Sequence, residues 1–214
     1  MPLATRGLFL TFEGPEGSGK STQLRLLAQR LRGAGRDVLE SQEPGGTRIG
    51  IDIRRILLDP VNRELSPTAE LLLMFAARAQ NVDEWILPAL AQGRIVISDR
   101  FTDSTLVYQG AARGLGAEVV YDVDRVACRG LVPDLTLAID IDTETGLARA
   151  RRRNDSTHSS ETRIDEHAVD FHRTVREAYR HLAAEEPRRI RLIDGSRTRD
   201  EVAAEVWKAV EALL

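Results

Sequence analysis

The chain is predicted to be an α/β protein, a parallel sheet flanked by helices, and three features of its 214 residues carry that prediction. Five short apolar runs alternate with helical apolar spacings as far as the C-terminus, as expected when helices cover both faces of a parallel sheet. The first run leads into residues 14–21, GPEGSGKS, which fit the pattern G-x-x-x-x-G-K-[ST]. A helix-spaced segment follows, so the glycine loop lies between a strand and a helix N-terminus, where backbone amides and the helix dipole favour an anion.

Residues 8–12 read as the first buried strand, and Leu24, Leu27, Ala28 and Leu31 mark the helix after the loop. Residues 36–41 give a second strand, and Gly45-Gly46 opens a turn into a helix through Ile49, Ile53, Ile56 and Leu57. Ser66 reads as a cap, with Pro67 and Thr68 in the first turn of a helix through Leu71, Leu72, Phe75 and Ala79; another helix covers about 82–90. Residues 94–98 form the third strand, ending in Asp99-Arg100, and a long helical region interrupted at 110–116 runs to about Gly130. Residues 135–140 are the fourth strand, 190–193 the fifth and 199–214 a closing helix. No fixed repeat or linker breaks the chain, so one domain over 1–214 is expected.

Composition bounds the function further. Cys128 is the single cysteine and sits in an apolar helical pattern, which predicts a buried thiol and no internal disulfide. The N-terminus does not read as a signal peptide and no apolar stretch reaches membrane-spanning length, so a cytoplasmic protein without a membrane partner is expected. A net charge of −3 and a pI near 5.9 argue against general nucleic-acid binding while leaving room for local basic pockets. His158, His167, His172 and His181 show no metal spacing and are assigned no chemistry.

The loop predicts phosphate chemistry. Lys20, one of two lysines among twenty-eight arginines, supplies a compact cation, the amides from Gly17 to Ser21 a cradle, and the Ser21 hydroxyl a magnesium ligand. Asp99 ends a central strand, where it can hold the ion or its waters, and Arg100 faces the same crevice or forms a structural ion pair with Asp99 or a neighbour. Residues 154–162, NDSTHSSET, lack apolar anchors and lie between Arg149, Arg151, Arg152 and Arg153 on one side and Arg163 on the other. Beside a phosphate loop, such a segment reads as a mobile lid over about 149–166 whose arginines close on phosphates.

Several ordered motifs give the chain a resemblance to the thymidylate kinases, and to their bacterial type with lid arginines. They are GPEGSGKST from Gly14, EPGGT from Glu43, ELLLMFAARAQ from Glu70, Asp99-Arg100-Phe101 with Ser104-Thr105 and Tyr108-Gln109-Gly110, and PDLTL from Pro133. The resemblance implies the P-loop nucleoside-monophosphate-kinase fold, with its five strands in the order 2-3-1-4-5. It implies transfer of the ATP γ-phosphoryl group to dTMP with magnesium, in a homodimer formed through helices such as that of Leu71 and Leu72. ATP would be held by Gly14, Pro15, Glu16, Gly17, Ser18, Gly19, Lys20, Ser21, Thr22 and Arg149, with the loop at Asp194-Gly195-Ser196 on the adenine side. dTMP would be held by Glu16 at the 3′-hydroxyl, Arg100 at the phosphate, Arg78 at the base and helping to position the phosphate, Arg54 as a further acceptor-site arginine, and Tyr108 on the deoxyribose. Phe75, Ser104, Thr105 and Gln109 would line the thymine, and Lys20, Asp99, Arg100, Arg151 and Arg153 would be the catalytic groups.

Three positions depart from the family pattern. Gln42 replaces an arginine before EPGG, and Thr162 replaces the aspartate of the lid motif that continues Arg163-Ile164-Asp165. Met74 stands where many members stack a phenylalanine on thymine, so either Phe75 or Met74 covers the ring. Another kinase of the same fold, acting on a deoxynucleoside or nucleotide, and a regulatory P-loop ATPase are the alternative readings.

Overall fold

The computed structural model describes residues 6–157, 161–164 and 167–214. Five parallel strands, β1 (Phe9–Glu13), β2 (Val38–Gln42), β3 (Ile95–Asp99), β4 (Leu135–Asp140) and β5 (Ile190–Asp194), form one sheet in the order β2-β3-β1-β4-β5. That order and the all-parallel pairing are those expected, with strand ends shifted by a residue or two. The helices are α1 (Lys20–Gly33), α2 (Arg48–Leu58), α3 (Pro67–Asn81), α4 (Leu87–Ala91), α5 (Thr102–Thr105), α6 (Ala117–Cys128), α7 (Thr143–Thr157), α8 (Val169–Glu185) and α9 (Arg199–Glu211).

Every residue of β1 is buried, because helices cover both sheet faces and the two-residue side-chain period feeds two cores. Leu10 and Phe12 meet Leu24, Leu27 and Leu31 of α1 and Val202, Val206 and Val210 of α9. Phe9 points the other way, onto Leu71 and Phe75 of α3, Phe101, and Val120 and Cys128 of α6. At about 25 cal/mol per Å² of apolar surface removed from water, these two layers are the main stabilising term of the sheet. Cys128 is buried as expected, and burial holds its thiol far above the ordinary range, so it is inert at neutral pH.

Four differences from the sequence reading have local causes. The helices expected at 66–79 and 82–90 are one continuous run, because a π-turn, Val82–Ile86, joins α3 to α4 without a break. A second π-turn, Leu106–Ala112, prolongs α5, so the interruption begins at Arg113 rather than Gly110. Residues 154–157 of the polar segment are the last turn of α7, not loop; His158 and Asp165 lie outside the described residues. α8 was not anticipated, yet it buries Val175 and Tyr179 against Val107 and Tyr108. Leu71 lies in the chain's own core, whereas Leu72 is 54% exposed.

α7 sits directly on the glycine loop. A Cβ on Gly17 would lie 2.0 Å from the Gly146 carbonyl oxygen, and one on Gly146 would lie 2.5 Å from that of Glu16, so both contacts require glycine. Replacing Gly146 by alanine gains about 1 kcal/mol of helix propensity but forces a backbone displacement worth about 1–3 kcal/mol. Gly146→Ala is therefore expected to lower the midpoint of thermal unfolding; an unchanged or raised midpoint would show that α7 is not seated on the loop.

Candidate active site

The strands deliver their C-terminal ends to one edge of the sheet, where crevices form in such folds. There the loop after β1 turns into α1 and buries Lys20. Its Nζ donates to the carbonyl oxygens of Gly14 (2.9 Å) and Pro15 (2.8 Å), partners that a phosphate oxygen can replace. Burial and the nearby Arg100 push the Lys20 ammonium down to about 8, against the pull of Asp99 and Glu16. The Ser21 hydroxyl donates to Asp99 Oδ2 at 2.6 Å. A hydroxyl and one carboxylate are hard oxygen donors that suit magnesium when phosphate and water complete its shell. Among the described residues, no three His, Cys, Asp or Glu side chains gather into a metal cluster.

Arg100 is the hub of the acceptor side. It adopts φ 75°, a left-handed conformation that costs a non-glycine residue about 1–3 kcal/mol and is kept where the surroundings enforce it. Here its amide donates to Phe12 O at 2.9 Å and its carbonyl accepts from Ser98 Oγ at 2.8 Å. Its Nη2 meets Glu16 Oε1 (3.0 Å) and Tyr108 Oη (3.2 Å), while Nη1 meets Ser104 Oγ (3.0 Å) and Tyr179 Oη (3.2 Å). Arg100 thus pairs with Glu16 and not with the adjacent Asp99. Tyr108 also donates to Glu16, at 2.7 and 2.8 Å to its two oxygens. Burial alone raises the Glu16 carboxyl, but His172, Arg100 and Lys20 beside it hold it well below the usual carboxylate range. His172 Nδ1 lies 3.4 Å from Glu16 Oε2 and forms no aligned hydrogen bond, so it acts there by proximity.

Buried carboxylates stand behind the binding groups. Glu13 accepts from the Phe101 amide (2.7 Å), Ser104 Oγ (2.5 Å) and Tyr179 Oη (2.8 Å); burial and the neighbouring Asp103 raise its carboxyl to about 7 against the pull of Arg100. Glu43 accepts from Arg78 Nε at 2.5 Å and Asn81 Nδ2 at 3.0 Å, while Arg78 Nη2 donates to Phe101 O at 3.0 Å. Arg78 Nη1 is buried without a partner among the described residues. Glu70 accepts from Gln109 Nε2 at 2.8 Å and from Arg113 and Arg163.

Two cavities open on these groups. The first, about 330 Å³, is lined by Glu16, Arg54, Met74, Arg78, Asp99, Arg100, Ser104, Thr105, Tyr108 and Gln109, and also by Gln42. The second, about 480 Å³, is lined by the loop from Gly17 to Thr22, with Arg149, Gly195, Arg197 and Arg199. Gly17, Lys20, Ser21 and Arg153 line both.

Most of the residues singled out from the sequence therefore converge, with two exceptions. Phe75 does not line the acceptor cavity: α3 turns it into the core under the Arg78 guanidinium, 4.8 Å from the ring centroid, and presents Met74 instead. Arg151 lines neither cavity, because Arg149 and Arg153 are one helical turn apart on α7 and Arg151 lies between them on the opposite, exposed side. Arg54 is engaged by Glu161, with Nη2 to Oε2 at 2.7 Å, and by Pro44 O at 2.8 Å. Glu13, Glu43, Glu70, His172 and Tyr179 had been given no role from sequence. Glu43 and Glu70 stand in the sequence only as members of motifs, Glu13 has no local signal, and the last two belong to α8, for which the spacing of Phe171, Val175, Ala178 and Leu182 is the signal.

A phosphate-type loop under one cavity, with a second, arginine-rich cavity meeting it at Lys20, defines a P-loop nucleotide kinase. The solved thymidylate kinase from Ehrlichia chaffeensis is similar across 96% of this chain and 99% of its own, with a TM-score of 0.76 and 31% identity. A family model described as thymidylate kinase matches residues 12–206. The thymidylate kinase of Pelobacter propionicus is 51% identical over 92% of this chain and 90% of its own, and that of Pelotomaculum thermopropionicum 49% identical over 98% and 95%. The chain belongs to the thymidylate kinase family.

The state of Lys20 sets a pH dependence. With the free-site ammonium at about 8, the cation needed by a triphosphate is present at lower pH and lost as pH rises through that value. Affinity for a nonhydrolysable ATP analogue, followed by calorimetry, is expected to be level near neutrality and to fall about tenfold per pH unit well above about 8; a level affinity up to pH about 10 would contradict it.

Proposed function

We propose that this chain transfers the γ-phosphoryl group of ATP to dTMP, giving ADP and dTDP. The observation that carries the reading is the junction of the two cavities at Gly17, Lys20, Ser21 and Arg153, which leaves donor and acceptor phosphates one place to meet. In this reading the second cavity holds ATP and the first holds dTMP, with its phosphate at Arg100 and Arg54 and its sugar at Glu16 and Tyr108. The residues suit the ligand. Arg78 and Gln109 can satisfy a base that offers carbonyls and one ring N–H without a charged partner, and Met74 supplies a polarisable contact for the ring.

The transfer needs positioning and charge neutralisation more than proton removal, since a phosphate acceptor is already ionised at neutral pH. Lys20 exchanges the carbonyls of Gly14 and Pro15 for donor phosphate oxygens. Arg153 lines both cavities, so it is placed to follow the transferred group, and residues 149–166 act as the lid that carries it. Ser21 and Asp99 would hold magnesium, which when bound neutralises charge on the donor phosphates. Glu16 keeps its charge beside Arg100 and accepts the 3′-hydroxyl, and Tyr108, fixed by Glu16, crowds the position of a 2′-hydroxyl. A homodimer that covers the exposed Leu72 and a cytosolic location complete the proposal; no helix among the described residues is long and apolar enough to cross a membrane.

ADP release measured with a panel of acceptors tests the reading. Fast turnover with dTMP, slower turnover with dUMP and little with dCMP, dGMP or thymidine is expected, and Arg153→Ala is expected to lower kcat with little change in the KM for dTMP. Equal ADP release with and without an acceptor would sink the kinase reading, and an unchanged kcat would remove Arg153 from it.

A further inference from the structure

Gln109 lines the acceptor cavity, and its amide has two different faces. Which face meets a bound base decides what the site selects. An amide oxygen accepts from a ring N–H, whereas an amide nitrogen donates to a bare ring nitrogen. The neighbour that decides the matter lies outside the cavity, on α3.

We propose that Glu70 is a specificity-determining positioning residue, which locks the Gln109 amide with its oxygen toward the base and so selects pyrimidines that carry hydrogen on ring nitrogen 3. Glu70 is fully buried, and every polar contact it makes is with a donor. Oε1 accepts from Gln109 Nε2 at 2.8 Å and Arg113 Nε at 3.2 Å; Oε2 accepts from Arg113 Nη2 at 2.9 Å and Arg163 Nη2 at 2.6 Å. Burial raises its carboxyl, but Arg113, Gln109 and Arg163 more than offset this and hold it below the ordinary range, so at neutral pH it can only accept.

An amide facing an acceptor-only group has one acceptable orientation. Turning Gln109 over would set two oxygens 2.8 Å apart in a buried site, with no proton between them. With Nε2 committed to Glu70, Gln109 Oε1 has no donor among the described residues and is left for the cavity. Arg78 lines the same cavity and can only donate, so the base has a donor at one position and an acceptor at another. A pyrimidine with a carbonyl at position 4 and N–H at position 3 satisfies both. One with an amino group at position 4 and a bare nitrogen at position 3 satisfies neither.

This inference rests on the proposed dTMP pocket, and the test separates the two. The ratio of kcat/KM for dTMP to that for 5-methyl-dCMP is measured in the wild type and in Glu70→Gln. The two nucleotides share the methyl, sugar and phosphate and differ only at ring positions 3 and 4. A carboxamide at 70 can donate as well as accept, which frees Gln109 to turn while Arg78 stays in place. The ratio is therefore expected to fall about tenfold or more. A purely structural role for Glu70 would lower both values together and leave the ratio unmoved, and that result would overturn the inference. If Glu70→Gln does not fold, Glu70→Gln combined with Arg113→Gln removes one charge of each sign from the cluster and carries the same prediction. A wild type that takes both nucleotides equally would overturn the base pocket itself, and the inference with it.

Discussion

The acceptor side of the cleft is assembled around the ion pair between Glu16 and Arg100, which draws four separate segments to one point. Glu16 comes from the loop after β1, Arg100 from the end of β3, Ser104 and Tyr108 from α5 and its π-turn, and Tyr179 from α8. Both charges are largely removed from water, so removing one partner strands the other, at a cost of about 3–5 kcal/mol. The strained backbone of Arg100 is tolerated for the same reason, since its guanidinium is held by four side chains. The pair sits between the loop that holds Lys20 and the cavity that Tyr108 and Gln109 line.

Behind this pair lies a recurring arrangement in which a buried carboxylate orients several of the polar groups in and beside the cavity. Glu13 holds Ser104 and Tyr179, Glu43 holds Arg78, and Glu70 holds Gln109. Each carboxylate accepts from buried donors; at Glu70 these more than offset burial, whereas burial still raises the Glu13 and Glu43 carboxyls. The arrangement fixes these side chains before a ligand arrives, which lowers the ordering cost of binding. Glu70 extends the network to Arg163, whose Nε donates to Leu57 O at the end of α2. The cavity lined by Gln109 and the segment after α7 are therefore tied to one carboxylate.

Local signals were legible in the sequence, while signals that depend on which way a side chain turns were not. The glycine loop and the strands could be anticipated because one is a contiguous motif and the others are uninterrupted apolar runs, while the strand order followed from the family resemblance. Met74 and Phe75 are adjacent apolar residues on one helix, and only the packing of α3 against β1 decides that the phenylalanine goes inward. Arg151 and Arg153 are equivalent as members of a basic run, and only the continuation of α7 through them puts Arg153 on the face of Arg149 and Arg151 on the other. Glu13, Glu43 and Glu70 could not be distinguished from solvated carboxylates, since their burial follows from arginines and amides more than 35 residues away in most cases. α8 was readable from its apolar spacing, which its many charged residues obscured.

A double-mutant cycle on dTMP affinity, with Glu16→Gln, Arg100→Met and the two combined, tests most directly whether the Glu16–Arg100 pair organises the acceptor site. If it does, the single variants each weaken dTMP binding and the double variant is weaker than wild type by at least about tenfold less than their product, because the second substitution has no pair left to break. Losses that multiply to within about twofold would mean that the two residues act on the nucleotide independently, and would contradict the account.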